Sequence, residues 1–208
     1  MDASAFTAIL AALVRRLPGA FAAALVDVQG ETVDYAGDVD PFDVKVAAAH
    51  MRILLNDVDR LGALGKPRSL VIRGAKRSIV TRALPEQYAL VILLRRRAGF
   101  TASQRAFATC ERALAAEAGW AVTPVKGAPI WHPIVVESDR RGRPRWMGEP
   151  RLAVEVLGAV MGLPSNEQGF RVRTSTGSEL TLVRESRRCW YTDLLPDHLV
   201  PENASHDA

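Results

Sequence analysis

Apolar residues recur at helical spacing over residues 3–17, where Phe6, Ile9, Leu10, Leu13, Val14 and Leu17 line one side of an amphipathic helix that Pro18-Gly19 ends. The pattern then changes. Residues 22–28 are apolar at nearly every position, residues 32–35 follow, and Val28-Gln29-Gly30-Glu31 supplies a tight reversal in which Gly30 can take positive φ. A strand apolar at odd positions (Phe21, Ala23, Leu25) and even ones (Ala22, Ala24, Val26) has no water-facing side. This hairpin therefore needs a helical cover on each face.

Asp40 is placed to cap a second helix, with Pro41 at its first position, that runs to about Leu61 and is closed by Gly62 and Gly65. On this helix Ala47, Met51, Leu54, Val58 and Leu61 fall together as the expected core face. Lys45, Arg52, Asn56 and Arg60 fall together as a largely cationic outer strip, and His50 and Asp57 flank the seam. Residues 70–73, 78–84 and 88–94 read as three strands joined by short turns, the last of them apolar on both faces. Ser103 begins a third helix that Gly119 stops. The predicted fold class is α+β. A five-stranded antiparallel sheet is sandwiched by helices, in the order α-β-β-α-β-β-β-α, over residues 1–120.

The character shifts near Ala121. Residues 121–129, with two prolines and a glycine, suit a linker, and residues 130–137 read as a strand. Residues 138–150 form a polar, arginine-rich loop. Residues 151–163 fit a helix through Leu152, Val156, Ala159 and Val160, although the valines also suit a strand. A hairpin over residues 170–174 and 179–185 and a short strand at 189–192 complete a small α+β module over residues 130–200, followed by a disordered tail, 201–208.

Composition narrows the function. The chain has 208 residues, 48% of them hydrophobic, enough for two cores, and no stretch reaches transmembrane length. Its two cysteines, Cys110 and Cys189, suit reduced thiols in a cytoplasm. Residues 1–120 hold 16 Lys and Arg against 12 Asp and Glu, and residues 121–208 hold 11 against 11, so the basic excess is mild and lies in the first half. Asp27-Val28-Gln29-Gly30 matches the Asp-x-x-Gly of GTPases, but no Gly-rich phosphate loop accompanies it, and a turn accounts for it better. No histidine pair has ligand spacing and neither cysteine has an evident base, so no cofactor, metal or catalytic residue is expected. Arg140, Arg141, Arg143 and Arg145 beside Trp146 could clamp phosphates and stack a base. The surrounding half is neutral, which speaks against nucleic acid and leaves Arg143, Arg145 and Trp146 as candidates for docking a protein.

The order of elements, with LVDVQGETVDYAG, VKVAAAHMRILL and IVTRALPEQYALVILL, resembles the roadblock/LC7 family, which includes bacterial MglB-type regulators. The resemblance covers roughly residues 3–120. It implies a homodimer whose sheets join edge to edge through Ser69, Leu70, Val71, Ile72 and Arg73, with the helices of residues 41–61 side by side. It further implies a cytoplasmic regulator or scaffold for a Ras-like small GTPase, without chemistry of its own, using Lys45, Arg52, Asn56 and Arg60 as the partner strip. The C-terminal module would recruit or restrict a further signalling protein. The competing readings are a dimerising scaffold with no GTPase contact and a nucleic-acid binder using the loop from Arg140 to Arg145.

Overall fold

The computed structural model describes residues 4–62, 65–96, 103–121, 130–161, 163–164, 166–185 and 188–196. Most of the expected linker and all of the expected tail at 201–208 lie outside the described residues. The chain divides into two compact units, Met1–Thr123 and Pro124–Ala208.

In the first unit the elements are α1 (Ala5–Arg16), β1 (Ala20–Val26), β2 (Thr32–Gly37), α2 (Pro41–Arg60), β3 (Ser69–Arg73), β4 (Arg77–Ala83), β5 (Ala89–Arg95) and α3 (Gln104–Ala118). Local chemistry sets the helix ends. The side chains of Ser4, Asp40 and Ser103 accept from Thr7, Phe42 and Ala106 backbone N–H groups, and Gly119 closes α3 in the left-handed region at φ 70°. The strands form one antiparallel sheet in the order β2-β1-β5-β4-β3.

Central β1 and β5 are buried on both faces, as their unbroken apolar runs require. Ala22, Ala24, Val26, Ala89, Val91 and Leu93 pack against Val44, Ala48, Met51 and Leu55 of α2. The alternate residues Ala23, Leu25, Leu90 and Ile92 are equally buried and point the other way, where α1 and α3 lie. Each of these enclosed leucines or isoleucines contributes roughly 2 kcal/mol.

At the β1–β2 turn, Asp27 Oδ1 accepts from the Glu31 N–H at 2.9 Å and Gly30 has φ 89°, the arrangement expected of a turn. Asp34 of β2 is held by the Ser4 and Thr7 hydroxyls and by the Tyr35 N–H. Burial pushes its carboxyl up, but these hydrogen bonds together hold it below the usual carboxylate value. A depressed folded-state pKa contributes stability above the unfolded value and loses it as pH falls through the folded one. Wild-type protein should therefore lose stability below about pH 4, and Asp34→Asn should remove part of that loss. Thermal unfolding followed from neutral pH to about pH 2 measures this difference.

The second unit differs from expectation. It contains β6 (His132–Ile134), β7 (Val136–Ser138), β8 (Pro144–Met147), β9 (Leu152–Val160), β10 (Gln168–Thr174), β11 (Glu179–Arg184) and β12 (Trp190–Thr192), with no α-helix among its described residues. The helix expected at 151–163 is the strand β9. Leu152, Val154 and Val156 alternate toward the core while Glu155 and Leu157 are exposed, and β8 and β10 supply ladder partners on either side. The helical series Leu152, Val156, Ala159 coexists with this alternation, and the ladders decide between them. The arginine-rich segment is not a loop throughout, because β8 runs through it and pairs with β7.

The sheet order is β6-β12-β11-β10-β9-β8-β7, so the two outermost strands are separated in sequence by Val135 alone. Consecutive Cα atoms are about 3.8 Å apart, so the two margins meet at Val135 and the sheet curls back on itself as a barrel, joined there by the chain and not by a ladder. The expected single strand at 130–137 is one bent segment that clasps both margins, and the Val135 carbonyl accepts from the Gly148 N–H at 2.9 Å at the bend. Met147, Val172, Leu180, Leu182 and Trp190 fill the interior.

Candidate functional site

Two surfaces of the first unit stand out, the free edge of its sheet and the outward side of α2. Among the described residues, strand β3 pairs only with β4. Leu70 and Ile72 turn toward the α2 side and join the core, while Val71 turns to the opposite face and is 40% exposed, between the exposed Ser69 and Arg73. The other margin, β2, is guarded. It carries the Asp34 carboxylate and Gly37, and a bulge interrupts its pairing with β1 at Leu25/Val26. Charges and bulges are the usual means by which a sheet edge resists pairing; β3 has no bulge within its five in-register residues, and its one charge, Arg73, stands at the strand's end.

Helix α2 is rotated relative to the sequence expectation. Its buried residues are Val44, Ala48, Met51, Arg52 and Leu55. Leu54 and Leu61, expected in the core, are 40% and 69% exposed, and Ala47 and Val58 are half-buried. This lateral flank lies on the side of Asp43, whose carboxylate meets Arg77 of β4 at 3.4 Å, and so it borders the β4–β3 side of the sheet.

The expected cationic strip does not survive as one surface. Lys45 and Arg60 are exposed and Asn56 is half-buried, but Arg52 is only 5% exposed. Arg52 follows Ala48 by four residues and precedes Leu55 by three, which draws its stem over the margin of the core. The outward side carries apolar residues instead. Phe42, Val46 and Ile53, at i, i+4 and i+11, are 72%, 37% and 54% exposed, with Arg60 among them and Lys45 and Asn56 beside them. The sequence signal for these three was present, since α2 has more apolar residues than one buried face can use.

Burial pushes the Cys110 thiol up to about 12, which keeps it protonated. Glu111 pairs with Arg82 at 2.6 Å, and the Arg82 guanidinium lies 4.7 Å from the Phe107 ring centre, a structural clamp between α3 and β4. Among the described residues no group of three or more His, Cys, Asp or Glu could hold a metal ion, and no helix is long and apolar enough to cross a membrane.

In the second unit Arg143, Arg145 and Trp146 are exposed around the β7–β8 hairpin, Trp146 by 42%. Asp139 Oδ1 accepts from the Arg141 and Arg143 backbone N–H groups at 2.8 and 2.9 Å, which fixes the turn. The cleft beside Trp146 holds about 60 Å³ and is lined by Glu137 and Glu149 as well as Arg151. That is room for about two waters.

No family model and no curated protein matches the chain. Among solved structures it is similar to a roadblock/LC7 domain from Streptomyces avermitilis, at 20% identity over 54% of this chain and 97% of that one, with a TM-score of 0.49. It is also similar to Myxococcus xanthus MglB, at 17% identity over 57% and 98% of the two chains and a TM-score of 0.49. A third similar structure is the gliding protein MglB of Thermus thermophilus, at 17% identity over 57% and 94%, with a TM-score of 0.47. The element order of the first unit, about one five-stranded antiparallel sheet, is the one that the resemblance to the roadblock/LC7 family implies. This roadblock-type unit accounts for about half of the chain, and the β-barrel unit lies beyond it.

Proposed function

We propose that this protein is a non-enzymatic regulator or scaffold for a Ras-like small GTPase and works as a homodimer through its roadblock-type unit. The free edge of β3, regular throughout and charged only at its end, carries the reading. Two copies of β3 laid antiparallel about Val71 put Val71 against Val71, Leu70 against Ile72 and Ser69 against Arg73. No like charges oppose one another in that register, and each copy gains a row of backbone hydrogen bonds. The lateral flank of α2, with Leu54 and Leu61, supplies apolar area beside the new seam.

Pairing through that flank leaves the outward side of α2 free for a partner. Phe42 and Ile53 form an apolar centre there, and Lys45 and Arg60 form a cationic rim that steers an acidic surface into place. The barrel, with Trp146 on its outer wall, recruits or restricts a further protein. The small acidic-lined cleft beside Trp146 gives a nucleic acid base no seat, which favours this over the nucleic-acid reading.

The test combines light scattering with capture of the organism's own Ras-like GTPase, loaded in turn with GDP and a GTP analogue. Wild-type protein should elute at the mass of two chains and retain the GTPase. Phe42→Glu with Ile53→Glu should preserve that mass and weaken capture by at least about tenfold, the loss of one interface hot spot. Undiminished capture would remove this face from the mechanism.

A further inference from the structure

We propose that one end of the roadblock-type unit adheres to an anionic lipid surface, through a cluster of unmatched cations with Phe42 beside it. The antiparallel ladders bring the cations to one end of the sheet. β3 ends at Arg73, the turn that follows carries Lys76, β4 begins at Arg77, and β5 ends at Arg95 with Arg96 after it. The last turn of α1 adds Arg16 there, since the Gly19 carbonyl just beyond it accepts from the Arg95 N–H at 2.9 Å. Arg73, Lys76, Arg95 and Arg96 are exposed, and Arg16 and Arg77 are half-buried. Neighbouring strands lie about 4.8 Å apart, so the charges spread over a face on the order of 10 Å across.

The fold holds these charges against their own repulsion. Arg77 and Arg95 are direct cross-strand partners on the α2 side of the sheet, two residues from Ile79 and Leu93, which pack on that side. Like charges so placed destabilise a sheet. Asp43 relieves Arg77 at 3.4 Å, but Arg16, Arg73, Lys76, Arg95 and Arg96 make no ion pair among the described residues. The carboxylates at this end, those of Asp38, Asp40 and Asp43, are half as many as the cations, and Asp40 is engaged in capping α2. Such a surplus attracts an anionic surface. Phe42 gives that surface its chemistry. It stands in the first turn of α2, 72% exposed, and the Asp43–Arg77 pair holds that turn against the cationic end. An aromatic ring beside cations suits the boundary of a bilayer, where the ring enters between headgroups while the cations meet phosphates. The cluster brings no amide or second exposed aromatic, among the described residues, to hold a nucleic acid base. The surface shares only Phe42 with the proposed GTPase contact, and it needs no dimer, because antiparallel pairing of β3 sends the two basic ends opposite ways.

Co-sedimentation of the full chain with vesicles of phosphatidylglycerol and phosphatidylcholine in equal parts tests this. The protein should sediment with them and not with phosphatidylcholine alone, and rising salt should release it. Lys76→Glu with Arg95→Glu should weaken binding by at least about twentyfold, since each cation near an anionic surface contributes about fivefold. That variant should melt no lower than wild type, because Arg95→Glu sets opposite charges across the ladder at Arg77. Phe42→Ala should weaken binding by about tenfold, the loss of one inserted ring. Ile53→Glu should lose capture of the GTPase and keep the vesicles, so either reading can fail without the other. Equal sedimentation with both kinds of vesicle overturns the proposal, as does binding that survives the double reversal or the loss of Phe42. Release from the vesicles by duplex RNA or polyglutamate at equal charge concentration overturns it too, by assigning the cluster to a nucleic acid or an acidic protein. The comparison of vesicles uses wild-type protein and stands whether or not a variant folds.

Discussion

Val71→Glu yields a folded monomer. In the proposed antiparallel seam the two copies of residue 71 face each other across the two-fold, so the substitution places two carboxylates about 5 Å apart. At an effective dielectric of about 20, their repulsion is about 3 kcal/mol, or roughly two orders of magnitude in the dimer dissociation constant. The unit itself should barely notice. Val71 is already 40% exposed, and the ladder from β3 to β4 is made by backbone groups that the substitution leaves in place. Light scattering should give the mass of one chain while the melting temperature stays close to that of wild type. Val71→Thr, a β-branched residue without charge, should remain a dimer. A Val71→Glu protein that still elutes as two chains would show that the seam lies elsewhere.

Gly37→Ala produces the largest loss of stability. Gly37 ends β2 at φ 131°, a conformation closed to residues with a side chain. A Cβ built there would lie 2.3 Å from the Phe21 carbonyl oxygen and 2.5 Å from the Ala22 Cα, both backbone atoms of the central strand. Neither atom can swing away as a flexible side chain would, so β2 must lift from β1 or the peptide must rotate. Backbone strain and overpacking together put the cost at about 4 kcal/mol, a drop on the order of 15 °C in melting temperature. Gly62→Ala serves as the comparison. That residue also has positive φ, at 67°, but nothing lies within 4 Å of the added carbon, so only the conformational part is lost.

The contrast between legible and illegible features follows from how local each signal is. The caps at Asp40, Ser103 and Gly119 were readable because each is settled by a few neighbouring residues. The central strands were readable because a run without polar positions allows one environment only. The rotation of α2 was not readable. That helix is apolar on its core side, on its lateral flank and at Phe42, Val46 and Ile53 outside, and spacing alone ranks none of these above the others. The same ambiguity placed Arg52 on a strip with Lys45 and Arg60, although it is nearly enclosed, at 5% exposure, and lines a cavity with Leu55. In β9, both periods fit Leu152 and Val156, and the strand emerges because β8 and β10 each present a complementary ladder. Closure of the barrel depends on segments more than fifty residues apart, and no local pattern announces it.

That closure limits how the protein can multiply. The first segment of the second unit is shared between both margins of its sheet, so each edge strand is only three residues long, a short rim for another chain to build on. With β2 interrupted by a bulge, the proposed seam would use up the one long regular margin among the described residues of each copy, so the assembly is self-limiting: two chains satisfy one another and the margins left over are short or irregular.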